Sequence, residues 1–207
     1  VLPQFVDEAM NCCQSRWLVA SIIFDLRSLH NACRPHLPFQ QVLCLILGIE
    51  CDGQIVMNLE HASLAVARKR EDGVVETELV ASVNRPREDQ LFNMVSSLFE
   101  RGLVQAVGMD DYQLANLGKR FKEAGYPMFR LWSKEMASAS SLIYSLFAAG
   151  SIQHNNDPLL ISQIGRGVAR YTGESWRISR RDSHGDIDAL MATVIAVYVA
   201  SIRNADL

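Results

Sequence analysis

The sequence predicts an α/β fold, a mixed β-sheet flanked by helices, and three observations predict it. Three apolar, strand-like stretches come first; helical and strand-like patterns then alternate; and the last stretch reads as a nearly all-apolar helix.

The first strand is the run Val42-Leu43-Cys44-Leu45-Ile46-Leu47-Gly48-Ile49, unbroken by any charge and therefore read as buried. The second, His61 to Ala67, is followed by the turn residues Glu71-Asp72-Gly73 and then by the third, Val74 to Val83. The three are expected to pair antiparallel. Pro86 opens a helical pattern in which Leu91, Met94, Val95, Leu98 and Phe99 recur at helical spacing, with Gly102 as its stop. A strand from Val104 to Met109 follows, then a helix from Gln113 to Ala124, a strand from Pro127 to Trp132, and a helix from Lys134 to Ala149 that Gly150 terminates. The last helix, Ala189 to Ile202, suits burial against a sheet because almost every position is apolar or small. Between Gly150 and that helix the sequence assigns no element. The 207 residues, 49% of them hydrophobic, suffice for one core plus an appended piece. The piece is expected over residues 1 to 40, a helical stretch from Phe5 to Leu29 and a linker at Arg34-Pro35-His36-Leu37-Pro38, leaving residues 41 to 207 as the α/β domain.

Acidic residues stand where three of these elements end or begin: Glu50 after the first strand, Asp110 after Val104 to Met109, and Asp188 before the last helix. A carboxylate directly after a buried strand lies at the sheet's carboxyl edge, and one at a helix start can lean over that edge, so the three can converge on a cation. Asp25, after the apolar Leu18 to Phe24, is another candidate for the first position, but no three-strand pattern follows it. Each acid also has a plainer reading. Asp110 with Asp111 can cap the helix that follows, and Asp188 can cap the last helix while Asp186 adds charge at its positive end. Glu50 resists that reading, because an ionised group ending an apolar run must find a cation, donors or water. Taken together the acids favour a metal cluster and, with it, cleavage of a phosphodiester. Two divalent ions about 4 Å apart lower the pKa of an attacking water, hold the scissile phosphate and stabilise the departing 3′ oxygen. His184, shortly before Asp188, can ligate a cation or shuttle a proton, or it is a solvated loop residue. Lys134 can face a phosphate across the same edge, against the alternative that Ser133 simply caps its helix.

Four segments then carry a family resemblance: Leu47-Gly48-Ile49-Glu50; Val107-Gly108-Met109-Asp110-Asp111-Tyr112; Phe121-Lys122-Glu123-Ala124-Gly125-Tyr126 with Ser138 to Gly150 beyond it; and His184-Gly185-Asp186-Ile187-Asp188-Ala189-Leu190-Met191-Ala192. In order and spacing, from about Leu43 to Ile202, the chain resembles the nuclease domain of the large terminase subunit of tailed bacteriophages, a ribonuclease H-like fold. The resemblance implies that Glu50, Asp110 and Asp188 are the catalytic metal carboxylates, with Asp52, Asp111, Asp186 and His184 as further candidate ligands. It implies two Mg²⁺ or Mn²⁺ ions as cofactor and an endonuclease that cuts double-stranded viral DNA during genome packaging in the cytoplasm of a bacterial host. It also implies an ATPase motor domain N-terminal to this one, with portal and small terminase proteins as partners. The chain departs from the family in its first acid, which is usually Asp. Glu50 has one more methylene, and Asp52 stands two residues later, so either can be the first ligand. A junction resolvase or transposase-type nuclease of the same fold, and a docking module with a poor metal site, are the rival expectations.

The net charge of −3 and pI near 6.0 leave no global electrostatic footprint for nucleic acid. Among the local basic groups, Arg68-Lys69-Arg70 and Lys119, Arg120 and Lys122 read as solvated faces, whereas Arg177, Arg180 and Arg181 lead into Asp188 and are the expected DNA contacts, with Lys134 as a further one. No glycine-rich phosphate loop is present, so the ATP motor is not expected within this chain. Five cysteines without CxxC spacing suggest neither zinc nor a redox motif and point to reduced thiols. No membrane partner is expected, because the longest apolar run is shorter than a span and no basic-then-apolar leader opens the sequence.

Overall fold

The structure, a computed structural model, describes residues 42–48, 61–110 and 114–203, and for 42–48 the backbone alone. The expected extension over residues 1 to 40, and Glu50, Asp52 and Asp111, lie outside the described residues.

Strands β1 (Val42–Gly48), β2 (His61–Lys69) and β3 (Val75–Asn84) form the expected antiparallel meander. Helix α1 (Glu88–Glu100) returns the chain to β4 (Ala106–Asp110), which pairs parallel to β1. Helix α2 (Ala115–Glu123) then leads to β5 (Met128–Leu131), parallel to β4. Helix α3 (Ser133–Ala148) crosses to β6 (Ile152–His154), which adds to β3, so the sheet order is β5-β4-β1-β2-β3-β6. Beyond it come α4 (Pro158–Ile164), a separate hairpin of β7 (Val168–Thr172) and β8 (Ser175–Ser179), and α5 (Asp188–Arg203).

The two-residue period of a strand divides the core between the sheet's faces. Ala62 and Leu64 of β2 and Val107 and Met109 of β4 pack with Leu91, Val95, Leu117 and Phe121 of α1 and α2. Their neighbours of opposite parity, Ala65, Ala67 and Ala106, pack with α3 and α5. Helix α5 lies across β2, β1 and β3 with α3 and α4 beside it. Ala189, Ala192, Ala196 and Ala200 let it approach closely, and Val194, Ile195, Val197 and Val199 fill the space around it. Each such branched side chain contributes roughly 1.5–3 kcal/mol by burial.

Two expectations need adjusting. The helix expected from Gln113 begins at Ala115, with Leu114 at its N-cap and no side-chain cap, so Asp110 is not the cap of α2. Ser133 does not cap α3 either. Trp132 holds the N-cap position, its N–H donates to Oε2 of Glu135 at 3.0 Å, and the Ser133 hydroxyl accepts from Arg177 Nη1 at 2.9 Å. The stretch to which the sequence assigned no element contains β6, α4 and the β7–β8 hairpin. Those strands span three to five residues with mostly polar or half-exposed positions, too short for a period to declare itself.

Candidate metal centre at the carboxyl edge of the sheet

Asp110 ends β4 with the parity of Ala106, so its side chain faces α5 rather than α1. His61 opens β2 with the parity of Ala65 and faces the same way, directly across the ladder from Gly48, the last described residue of β1. The carboxyl edge of the parallel strands therefore brings one acid and one imidazole to the end of α5 where Asp188 sits.

Asp188 is not the helix cap that its position suggested. The first helical hydrogen bond runs from Met191 N–H to the Ile187 carbonyl at 2.9 Å, which puts Ile187 at the N-cap and Asp188 at the first helical position. Gln163 Oε1 from α4 accepts the N–H groups of Ala189 and Leu190 at 2.7 and 3.2 Å. Asp188 is 3% exposed as a residue, and its carboxylate accepts no hydrogen bond from the described residues. Burial pushes its carboxyl up to about 6; Arg180 opposes that rise, Asp186 adds to it and His61 opposes it. Those three residues thus form the electrostatic surroundings of a buried acid.

Arg180 follows β8 and pairs with Asp110, Nη1 to Oδ2 at 3.0 Å, so one guanidinium lies against one acid and within electrostatic reach of the other. Its Nε and Nη2 are buried and find no hydrogen-bond partner among the described residues. The turn that carries it is built locally. Ser179 Oγ donates to Asp182 Oδ2 at 2.8 Å, Ser183 Oγ donates to the Ser179 carbonyl at 2.6 Å, and Val168 N–H donates to Ser183 Oγ at 3.0 Å. Asp186, beyond that turn, stands 3.4 Å from His61 Nε2, while His61 Nδ1 meets Oδ1 of Asn84 at 2.7 Å. Because the amide oxygen only accepts, the Nδ1 atom carries the proton in that pair.

Of the residues expected to act together, the structure brings Asp110, Arg180, Asp186 and Asp188 to one place. Arg177 lies on β8, bonded to Ser133 at the start of α3 beside the exposed Lys134. Arg181 and His184 are exposed; the backbone N–H of His184 donates to the Arg166 carbonyl at 3.4 Å. Among the described residues no three His, Cys, Asp or Glu side chains group closely enough to hold a metal ion by themselves. Four residues of the other basic runs pair with acids. Arg68 and Arg70 pair with Glu76, Arg120 pairs with Glu88 and Asp89, and Lys119 pairs with Glu123. His61, Asn84 and Gln163 are the residues sequence reasoning missed. The first of them was findable, because an antiparallel partner of β1 must open at the edge where β1 ends.

Among solved structures, the large terminase of bacteriophage HK97 matches 79% of this chain and 40% of its own length, with a TM-score of 0.63 and 14% identity. The large terminase nuclease of thermophilic phage G20c, in a structure with bound magnesium, matches 80% of this chain and 82% of its own, with a TM-score of 0.55 and 14% identity. The fold is that of the large terminase nuclease domain. Its mixed sheet flanked by helices is the expected ribonuclease H-like architecture. The large terminase of another thermophilic bacteriophage shares this terminase nuclease fold at a TM-score of 0.57 and 11% identity, over 81% of this chain and 40% of that one. The chain thus spans 40% of the length of two of these large terminases and most of the isolated nuclease. No protein-family model and no curated protein matches the sequence.

Proposed function

We propose that the chain is a divalent-metal-dependent endodeoxyribonuclease domain that cuts double-stranded viral DNA during genome packaging. The observation that carries the reading is the buried Asp188 carboxylate, free of any capping duty, gathered with Asp186, His61 and the Asp110–Arg180 pair at the carboxyl edge of a terminase nuclease fold. A buried acid to which no described residue donates a hydrogen bond gains from a cation, and carboxylate oxygens suit Mg²⁺ or Mn²⁺. Asp110 and Asp188 would hold the ions with Glu50 as the first ligand, or Asp52 in its place, and with Asp186, Asp111 and His184 as further candidates. The G20c nuclease with bound magnesium and with bound cobalt supports a divalent cation in this fold.

The chemistry that two such ions supply is activation of a water and neutralisation of charge on the scissile phosphate and its leaving 3′ oxygen. The chain's own residues orient the substrate. Arg180 balances Asp110 until DNA arrives, and its guanidinium then offsets the charge of a phosphate beside the acids. Arg177, Arg181 and the exposed Lys134 extend the positive charge along the backbone of the duplex. An N-terminal ATPase motor domain, portal and small terminase partners and a site of action in the host cytoplasm complete the reading, supported by the match to 40% of two longer large terminases. No helix among the described residues is long and apolar enough to cross a membrane.

The test is nicking of supercoiled plasmid by the 207-residue chain. Mn²⁺ should support nicking and a chelator should abolish it, and Asp110→Asn and Asp188→Asn should each reduce it to background while remaining folded. Nicking at the wild-type rate by both variants would show that neither acid serves the reaction.

A further inference from the structure

An N-cap residue ordinarily supplies the side-chain oxygen that accepts the N–H groups two and three positions on. At the start of α5 that residue is Ile187, which has no acceptor. The two N–H groups concerned, those of Ala189 and Leu190, are accepted by Oε1 of Gln163, a buried side chain 26 residues earlier. The support for that oxygen is itself fixed. Asp157 caps α4 by accepting the N–H groups of Leu159 and Leu160 at 2.8 and 3.2 Å. After α4 the chain passes beneath the first turn of α5 so closely that a Cβ on Gly167 would meet Leu190 Cδ2 at 2.8 Å. One helix therefore caps another across a packed contact.

The consequence falls on Asp188. A carboxylate in the first turn of a helix is drawn to unpaired N–H groups and to the positive end of the dipole. Here the N–H groups of Ala189 and Leu190 are already taken by Gln163, and the carboxylate accepts no hydrogen bond from the described residues. We infer that Gln163 is a positioning residue: by capping α5 from outside the helix, it leaves the Asp188 carboxylate available to a divalent cation. The inference rests on the metal-dependent reading proposed above.

Calorimetric Mn²⁺ binding by the full chain, with no activity readout, tests it. Gln163→Met keeps the length of the side chain and removes the acceptor, so the freed N–H groups should capture Asp188. Mn²⁺ affinity should fall about tenfold or more, the range seen when the partner that orients a ligand is lost, and the melting temperature in chelator should fall as well. Adding Ile187→Thr to Gln163→Met returns an oxygen to the N-cap and should restore Mn²⁺ affinity to near the wild-type value, although a hydroxyl at a buried position lowers the melting temperature further. Recovered binding without recovered stability is an outcome that a purely structural role for Gln163 would not produce. A lower melting temperature with unchanged Mn²⁺ affinity in Gln163→Met overturns the inference, as does a folded double variant that binds no better than the single one. If Gln163→Met alone does not fold, the double variant decides by the same comparison with wild type. A wild-type chain that binds no Mn²⁺ removes the metal reading itself, a result distinct from either of these.

Discussion

The charge of a single residue is set by what surrounds it, and Asp188 shows how far that can depart from its sequence neighbourhood. From sequence, an acid one step before an apolar helix is an ordinary cap. In the structure Gln163 caps the helix, and the acid is buried beside Arg180, Asp186 and His61. Arg180 is equally dual, a candidate DNA contact that here balances Asp110. The first acid remains the residue whose identity matters most, because both Glu50 and Asp52 follow Gly48 closely in the sequence and octahedral Mg²⁺ tolerates a misplaced oxygen poorly. If Glu50 is the ligand, Glu50→Asp should retain or improve plasmid nicking and Glu50→Gln should abolish it. If Asp52 is the ligand, Asp52→Asn should be the inactive variant. Full nicking by both Glu50→Gln and Asp52→Asn would show that neither holds the metal.

At the scale of elements, α5 has two separable tasks. Its first turn presents Asp188, and the rest is a wedge of small and branched residues set between the sheet and helices α3 and α4. Ala192 is fully buried in that wedge, so Ala192→Leu should force neighbours off their packing and cost about 1–3 kcal/mol. Its melting temperature should drop, while the folded fraction should nick plasmid at the wild-type rate per molecule, because the first turn is held independently by Gln163. A variant that melts normally would mean that the helix has room at Ala192 and is less tightly packed than described. The β7–β8 hairpin illustrates the converse dependence. Few of its residues are buried, and it is tied down by Ile178 N–H donating to Ser140 Oγ at 3.1 Å and by Arg177 donating to Ser133, yet it delivers Arg180 to the acids.

For the whole molecule, a buried acid couples folding to pH. The Asp188 carboxyl titrates near 6 when folded, against an ordinary value of 3.8. Between those values the folded state holds the proton that the unfolded state has released, so stability falls as pH rises from about 4 to about 6 and levels off above that. The cost is on the order of 2–3 kcal/mol. Urea unfolding in chelator at the two ends of this window should show a larger loss in the wild type than in Asp188→Asn, which keeps the contribution of Glu78, a carboxyl also raised by burial, and Mn²⁺ should diminish the difference by favouring the ionised form. Identical pH dependence in the two proteins would mean that Asp188 is solvated. Sequence by itself determined the order of elements from β1 to α3, the burial of α5 and the likeness to the terminase nuclease, because apolar period and turn chemistry are local properties that each segment carries alone. It also placed Asp110 and Asp188 at element ends. Only the tertiary structure decided that Asp110 meets Arg180, that His61 and Asn84 stand at the same edge, and that Gln163 rather than Asp188 caps the last helix. These are contacts across 23 to 70 residues of chain, made by polar side chains that carry no period, and only the packing of sheet against helix brings them within hydrogen-bonding distance.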